Sequence, residues 1–313
     1  MYIGVDLGGT NIAVGLVDES GKIIAQDSTP TINSRPYEEI VKDMAELSIK
    51  VTEKAGYKKE DIKAVGIGSP GTVDTKNGVV VYANNLKMNN AKIAEEFKKT
   101  FDVPVNVEND ANAAAFGEYI ATGVDASCFI FLTLGTGVGG GFVLHGKIYR
   151  GANFAGGELG HITTMFGGEP CTCGRYGCWE AYASVTALIS QTKKAMSENP
   201  KSLMHKFADD FGKVNGRVAF EAAKAGDAAG QAVVDRYVKY VGDGIASVIN
   251  IFQPEILVIG GGISKEGNFL LDPVVEYVKV NDYNKMMPKT KIQIAKLYND
   301  AGIVGAALAA RNM

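Results

Sequence analysis

The stretch Ile3-Gly4-Val5-Asp6-Leu7-Gly8-Gly9-Thr10 has the pattern of a buried strand that runs into a glycine-rich bend. The same pattern returns as Ile130-Phe131-Leu132-Thr133-Leu134-Gly135-Thr136-Gly137. In both places a second strand-like stretch follows, at residues 12–17 and 141–144, and then a Gly-Lys-Ile turn. A strand, a glycine turn and a strand that occur twice predict a duplicated fold with a cleft between its two halves.

Both glycine bends are candidate phosphate sites, because without Cβ atoms the backbone N–H groups can approach phosphate oxygens. Thr10, Asn11 and Thr136 would add hydrogen bonds from hydroxyl and amide groups. Asp6 lies near the end of the first strand, where a carboxylate could hold a magnesium ion through water. The alternative is that the glycines only permit tight hairpins. Two bends in register favour phosphate binding over that alternative.

A third glycine element follows the buried stretch Ile256-Leu257-Val258-Ile259. A strand that runs into three glycines is either a tight turn alone or a place where a base or ribose lies against bare backbone. Residues 135–140 match the G-x-G-x-x-G pattern, but a strand-like stretch follows where a dinucleotide site requires a helix. A Walker loop is excluded as well, since its Gly-Lys-Ser/Thr ending is missing. The predicted nucleotide-binding residues are Asp6, Gly8, Gly9, Thr10, Asn11, Gly135, Thr136, Gly137, Gly260, Gly261 and Gly262.

A cysteine-rich loop predicts a metal site. Its ligands would be His161, Cys171, Cys173 and Cys178. One histidine and three cysteines complete the tetrahedral shell of a zinc ion and leave no position for a catalytic water, so the zinc would be structural. Such a metal would also fix Glu158 and Glu180 around one place. The alternative is a loop of buried thiols, since disulfides are uncommon in the cytosol.

The composition restricts the class of protein. A length of 313 residues predicts two domains, and a net charge of −3 with no basic run argues against nucleic-acid binding. The uncharged run at residues 126–144 is long enough to span a membrane, but its glycines favour a strand, a turn and a strand. With no export signal before the first strand, we expect a cytoplasmic protein that binds no membrane. The leftover Cys128 is predicted to be a core thiol.

Strand and helix patterns alternate between these motifs, which predicts an α/β fold with a mostly parallel sheet in each half. The predicted helices are at residues 34–56, 92–101, 110–121, 179–197 and 218–252, the last with a break at Gly226-Asp227. The predicted strands between them are at residues 64–68 and 103–107.

The segment Glu108-Asn109-Asp110-Ala111-Asn112 joins a predicted strand to a predicted helix. Asp110 could deprotonate a substrate hydroxyl while Asn109 orients a neighbouring one, but aspartate is also among the best N-cap residues. The helix dipole favours the carboxylate, so we expect Asp110 to be ionised at neutral pH. Two phosphate bends elsewhere in the chain favour the base of a phosphoryl transfer over the cap.

Over nearly its whole length the chain resembles the ROK family of sugar kinases and regulators, and most closely the glucokinases of that family. The resemblance rests on Asp6-Leu7-Gly8-Gly9-Thr10, Leu134-Gly135-Thr136-Gly137-Val138-Gly139, the Asp110 segment, Gly156-Gly157-Glu158-Leu159-Gly160-His161 and Cys171-Thr172-Cys173-Gly174-Arg175-Tyr176-Gly177-Cys178-Trp179-Glu180. The last two motifs, in this order and spacing, are highly specific. In the loop Asn84-Asn85-Leu86-Lys87-Met88, Asn85 matches the family, and Met88 stands where many members have an aromatic residue.

The resemblance implies an actin-like (ribonuclease H-like) duplicated α/β fold, whose two domains surround a cleft for ATP and sugar. The small domain would comprise residues 1–115 and 300–313. The large domain, residues 116–299, would carry the zinc loop and the dimerisation surface of a homodimer. Asp110 would be the base, and His161 would hold zinc with one ring nitrogen and sugar with the other. The implied sugar ligands are Gly71, Asn85, Asn109, Asp110, Glu158, His161 and Glu180.

The implied activity is the transfer of a phosphoryl group from magnesium-ATP to the 6-hydroxyl of a hexose, with glucose as the expected sugar. Fructose, mannose or an N-acetylhexosamine are alternative acceptors, and polyphosphate is an alternative donor. A sugar-sensing regulator is the alternative from another class of protein. Regulators of this family carry a helix-turn-helix domain ahead of the first phosphate motif, and we expect none here because Asp6 stands so early in the sequence.

Overall fold

The computed structural model describes residues 1–312 and divides the chain into two compact units. The first unit contains Met1–Ser127, Gly141–Gly157 and the residues from Lys296 onward. The second unit contains Cys128–Gly140 and Glu158–Ala295. The predicted domain boundary at residue 115 therefore falls inside the first unit, because the helix that crosses it packs against the last helix of the chain.

Strands and helices alternate along the chain. The strands are β1 (Tyr2–Leu7), β2 (Asn11–Val17), β3 (Ile23–Pro30), β4 (Ala64–Ser69), β5 (Thr72–Asp74), β6 (Val79–Ala83), β7 (Met88–Ala91), β8 (Val105–Asn109), β9 (Cys128–Leu134), β10 (Val138–Leu144), β11 (Lys147–Tyr149), β12 (Ile256–Gly260) and β13 (Lys291–Ile294). The helices are α1 (Tyr37–Lys54), α2 (Ile93–Lys98), α3 (Asp110–Thr122), α4 (Glu180–Ala183), α5 (Val185–Glu198), α6 (Met204–Phe207), α7 (Val218–Lys224), α8 (Ala228–Phe252), α9 (Asn268–Asn281) and α10 (Ala301–Arg311).

Two five-stranded sheets share one topology, which confirms the predicted duplication. Their strand orders are β3-β2-β1-β4-β8 and β11-β10-β9-β12-β13. In the first sheet β1 pairs antiparallel with β2 and parallel with β4, and in the second sheet β12 pairs parallel with both β9 and β13. The sheets are mixed, so the prediction of mostly parallel sheets was wrong. A strand that returns through a short glycine turn must pair antiparallel with the strand before it.

Helices cover both faces of the first sheet. α1 packs against β2 and β3, while α10 packs against β1, β4 and α3. A Cβ atom built on Gly4 would lie 2.0 Å from the carbonyl oxygen of Ile303, and one built on Gly66 would lie 1.8 Å from that of Ala306. Only glycine fits at these two strand positions, because the backbone of α10 lies directly on the sheet. A small sheet of the order β5-β6-β7, which the sequence did not predict, completes this unit.

Side-chain caps decide the helix boundaries of the second unit. The predicted helix at residues 179–197 is two helices, because Ser184 accepts the N–H of Ala187 at 3.1 Å and starts α5 anew. The predicted break at Gly226-Asp227 is confirmed, since Asp227 caps α8 by accepting the N–H of Gly230. Cys128 at the start of β9 is only partly buried, so it is not the core thiol that we expected. Within residues 1–312 no helix combines the length and apolar character needed to cross a membrane.

Candidate active site and metal centre

Three parallel strands of the first sheet bring their carboxyl ends to one edge. These strands are β1, β4 and β8, and the predicted residues of this unit follow or end them. The first glycine turn joins β1 to β2 and is closed by the N–H of Gly8, which donates to the carbonyl of Asn11 at 2.9 Å. Thr31 supports this turn, because its Oγ1 donates to the carbonyl of Gly8 at 2.8 Å and its N–H donates to that of Thr10.

Asn85 lies beside this turn. A Cβ atom built on Gly9 would lie 3.5 Å from Nδ2 of Asn85, so the Asn85 side chain lies against the backbone of the turn. Asn33 fixes the loop, since its Nδ2 donates to the carbonyl of Asn85 at 2.9 Å. Met88, which departs from the family pattern, is 3% exposed and packs in the core, whereas Asn85 is exposed to solvent. The departure therefore concerns core packing in this unit.

Asn109, and not Asp110, caps helix α3. The Oδ1 atom of Asn109 accepts the N–H of Asn112 at 3.1 Å, and its Nδ2 donates to the carbonyl of Gly71 at 3.1 Å. Gly71 adopts a φ of +91°, and a Cβ atom there would lie 2.1 Å from the carbonyl oxygen of Tyr82. The alternative in which Asp110 acts as the cap was wrong. Its carboxylate accepts the neighbouring N–H of Ala111 at 2.8 Å and does not cap the helix.

Two carboxylates repel each other at this edge. Burial, and then the charge of Asp110, raises the pKa of Asp6 from its ordinary 3.8 to about 6. Burial also raises the pKa of Asp110, against the smaller opposing effects of the Ala111 N–H and of Asn109. The expectation that the helix dipole alone keeps Asp110 ionised at neutral pH therefore overlooked the burial of its carboxyl group. Gly302 of α10 lies against Asp6, because a Cβ atom built on Gly302 would lie 3.0 Å from Cγ of Asp6.

An ion pair that the sequence did not predict supports the junction of β8 and α3, where Asn109 and Asp110 meet. Arg150, which follows β11, donates through Nε to Oε2 of Glu108 at 2.7 Å. The side chain of Glu108 is 1% exposed. A charged residue at the end of a buried strand signals a partner, but nothing in the sequence identified which of the cations it would be.

The second unit repeats the arrangement of glycine turns. β9 and β12 are parallel, so the Gly135–Gly137 turn and the glycines after β12 lie at the same edge. Gly261 has a φ of +83°, and its hypothetical Cβ atom would lie 2.3 Å from the carbonyl oxygen of Leu134. Only glycine fits at position 261, where these two turns meet. Gly260 is the buried last residue of β12, whereas Gly262 and Thr136 are exposed to solvent.

The predicted sugar ligands of this unit surround Val138, the first residue of β10. Glu180 begins α4, and its Oε2 accepts the N–H of Val138 at 2.9 Å while its Oε1 lies 3.4 Å from Oγ1 of Thr172. A Cβ atom on Gly160 would lie 2.2 Å from the carbonyl oxygen of Val138. The 3-10 turn Leu159–His161 therefore lies against the same residue, and the exposed Glu158 precedes this turn.

The four predicted metal ligands form one cluster. The ligand atoms of His161, Cys171, Cys173 and Cys178 all lie within 4.8 Å of one another. Sγ of Cys171 lies 3.7 Å from Nδ1 of His161, and Sγ of Cys173 lies 3.6 Å from that of Cys178. Ligands about 2.3 Å from a tetrahedral zinc ion are about 3.8 Å apart, so the donor set fits that ion. All four cysteines of the chain are free, so the loop is not closed by a disulfide.

Two sheets of identical strand order, each with a glycine turn between its first two strands, define an ATPase-type protein of the actin-like fold in two domains. The chain belongs to the ROK family, whose sequence profile matches residues 2–313.

Several relatives of the chain are glucokinases. The chain is 39% identical over 311 residues to the glucokinase of Thermotoga maritima, which covers 97% of this chain and 95% of that protein. It is 35% identical over 306 residues to the glucokinase of Halalkalibacterium halodurans, with 97% and 93% covered. Among solved structures it is similar to a ROK family glucokinase from Streptomyces griseus in complex with glucose and AMPPNP. That similarity has a TM-score of 0.85 at 35% identity and covers 100% of this chain and 99% of the other.

Proposed function

We propose that this protein is an ATP-dependent glucokinase that phosphorylates the 6-hydroxyl of glucose. The observation that carries the proposal is the pair of carboxylates at the edge of the first sheet. Asn109 caps α3, so the carboxylate of Asp110 is not used as the cap, and Asp6 lies beside the first glycine turn. An uncapped acid next to sugar-binding candidates and a phosphate turn has the arrangement that a phosphoryl-transfer enzyme requires. The two glucokinase relatives and the glucose-bound neighbour support glucose as the acceptor.

Asp110 acts as the general base. It accepts the proton of the sugar 6-hydroxyl while that oxygen bonds to the γ-phosphorus of ATP and the bond to the bridging oxygen of ADP breaks. Burial raises the pKa of Asp110, which brings the base closer to the operating pH and makes it a better proton acceptor. Asn109 and the Gly71 backbone bind the sugar hydroxyls beside the 6-hydroxyl. The two groups lie together, because Nδ2 of Asn109 donates to the carbonyl of Gly71 at 3.1 Å. Asn85 completes the sugar ligands of this unit.

The second unit supplies the remaining sugar and nucleotide groups. Glu158, His161 and Glu180 bind hydroxyls, and the turns at Gly135 and Gly261 bind phosphate and adenosine. Asp6 would hold the magnesium ion that accompanies ATP, and that ion would offset the charge of the phosphates. His161, Cys171, Cys173 and Cys178 would hold a structural zinc ion, which would keep the ring of His161 in place. The other ring nitrogen of His161 would then face the sugar. Zinc supplies rigidity here, and the chemistry is that of the carboxylates and of magnesium-ATP.

The proposal extends to the whole molecule. The chain would be one subunit of a cytoplasmic homodimer, in which the two compact units are the two domains of the kinase. Size-exclusion chromatography with light scattering measures the dimer, and metal analysis measures the zinc.

A steady-state assay with magnesium-ATP tests the activity. The acceptors are glucose, mannose, fructose, N-acetylglucosamine and N-acetylmannosamine, with polyphosphate as a second donor. We expect the highest kcat/KM with glucose and ATP, and Asp110→Asn should abolish turnover while glucose binding by calorimetry persists. A higher kcat/KM with a different sugar or donor would change the proposed substrate, and the proposed role of Asp110 as the base would stand. If no pair gave turnover while sugar still bound, the protein would be a sensor and the proposal would fail.

A further inference from the structure

The buried acid Glu108 is held by one cation. Nε and Nη2 of Arg150 lie 2.7 Å and 2.6 Å from the same oxygen, Oε2. Glu108 is 1% exposed, whereas Arg150 is 30% exposed on the surface of the same compact unit. A buried carboxylate is strongly destabilising without a hydrogen-bonded partner, so this pair must form together. Both bonds go to Oε2, so the guanidinium group leaves Oε1 of Glu108 available to other donors.

The second oxygen of Glu108 organises the catalytic junction. Oε1 accepts the backbone N–H of Asn109 at 3.0 Å and Nδ2 of Asn112 at 3.2 Å. Asn112 in turn donates its backbone N–H to Oδ1 of Asn109, whose Nδ2 holds the carbonyl of Gly71. Both the backbone and the side chain of Asn109 are therefore set by the carboxylate that Arg150 orients. Asp110 is the next residue along the chain.

We propose that Arg150 is a positioning residue for the phosphoryl-transfer reaction and acts through Glu108 on Asn109 and Asp110. The inference rests on the proposed sugar-kinase function and names a residue that serves it. Within residues 1–312 the side chain of Arg150 bonds to Glu108 and to the carbonyl of Ile148, so it acts on Asp110 indirectly. Its role is to keep the base within the small positional tolerance of catalysis, where a misplacement of about 1 Å lowers the rate on the order of 100-fold.

The same residue anchors a closed loop. The carbonyl of Arg150 accepts the N–H of Gly156 at 2.9 Å, and a Cβ atom on Gly156 would lie 2.9 Å from the backbone nitrogen of Gly151. Residues 150–156 therefore form a tight ring of backbone that starts at Arg150. Two residues after Gly156 the chain reaches Glu158, one of the proposed sugar ligands. Arg150 thus fixes the Asp110 junction on one side and the segment that leads to Glu158 on the other.

Substitution of Arg150 tests the inference in the full-length protein. We expect Arg150→Met to lower kcat at least tenfold and to raise the KM for glucose several-fold, while the KM for ATP changes less than twofold. Guanidinium ion at millimolar concentration should restore part of kcat in Arg150→Ala, and Arg150→Lys should keep part of the rate. The control is Arg35→Met. Arg35 is 26% exposed in the same unit and pairs with Asp43, away from the junction.

A double-mutant cycle distinguishes positioning from a merely structural role. If the pair acts as a unit, Glu108→Gln with Arg150→Met should lose about as much kcat as the worse single variant and far less than the product of the two. The folded fraction of each variant is measured by stoichiometric glucose binding and thermal melting, and kcat is expressed per folded site. A wild-type kcat per folded site in Arg150→Met, or losses equal to those of Arg35→Met, would overturn the inference. An inactive wild-type protein would instead refute the proposed function, and the inference with it.

If Arg150→Met does not fold, Arg150→Lys and Glu108→Gln carry the test. A kcat per folded site that is lowered in both variants supports positioning, and an unchanged kcat in both refutes it.

Discussion

Replacement of Asp6 by asparagine should stabilise the protein while it removes activity. The ionised carboxylate of Asp6 is disfavoured in the fold by burial and by the charge of Asp110, which together raise its pKa from 3.8 to about 6. At about 1.4 kcal/mol for each pH unit, this pKa difference corresponds to about 3 kcal/mol of destabilisation at pH 8. Asparagine carries no charge, so we expect Asp6→Asn to raise the free energy of unfolding by up to that amount.

The pH dependence has a definite sign. A carboxyl group with a raised pKa in the fold leaves stability intact below pH 3.8 and reduces it as the pH rises through 6. The advantage of Asp6→Asn over the wild type should therefore be largest at pH 8, fall to about half at pH 5, and fall to about a fifth at pH 4. Kinase activity should fall at every pH, because the variant cannot hold the magnesium of ATP through its carboxylate.

Urea denaturation from pH 8 to pH 4 measures this effect, without magnesium, sugar or nucleotide, because a cation bound at Asp6 would relieve the repulsion. The control is Asp74→Asn. A hydrogen bond from the Asn77 side chain lowers the pKa of Asp74, so its loss should bring no gain in stability. If Asp6→Asn were no more stable than the wild type at pH 8, or if its advantage did not decline with acid, the electrostatic reasoning would be refuted.

Two further predictions concern the second unit. Gly137→Ala should lower the free energy of unfolding by about 1–3 kcal/mol, because its Cβ atom would lie 2.3 Å from Oε2 of Glu180 and break the bond to Val138. Gly135→Ala, with nothing within 4 Å of its Cβ, should change it by less than about 1 kcal/mol in the same urea titration, and equal losses would contradict the assigned contact. Cys173→Ser should abolish the bound zinc in plasma mass spectrometry and lower the Tm, whereas Cys128→Ser should keep the metal. An unchanged zinc content in Cys173→Ser would exclude Cys173 as a ligand.

The sequence was informative where function depends on local chemistry. The repeated strand and glycine turn predicted the duplicated sheets, because a turn between neighbouring strands is a local feature. The spacing of His161 and the cysteines predicted the cluster for the same reason. Helix caps were predicted less well, since both Asn109 and Asp110 are good cap residues and only the backbone decides between them.

Interactions between distant parts of the chain were not predicted. The sequence contains 32 lysines and arginines, and nothing in it indicated that Arg150 would pair with Glu108. The bond between Glu180 and Val138 was missed in the same way, because a carboxylate that binds backbone leaves no pattern in the sequence. The small sheet of β5, β6 and β7 was missed because its strands are short and partly exposed.

The position of α10 on the first sheet affects how the chain folds during synthesis. β1 and β4 are made well before α10, the helix that lies on Gly4 and Gly66. At about 5–20 residues per second, roughly 15 to 60 s separate the two. For that time the apolar surface around Tyr2, Val17 and Ala64, which α10 later covers, stays open to chaperones or to other nascent chains. Asp6 and its glycine turn are therefore translated long before the helix that completes their surroundings.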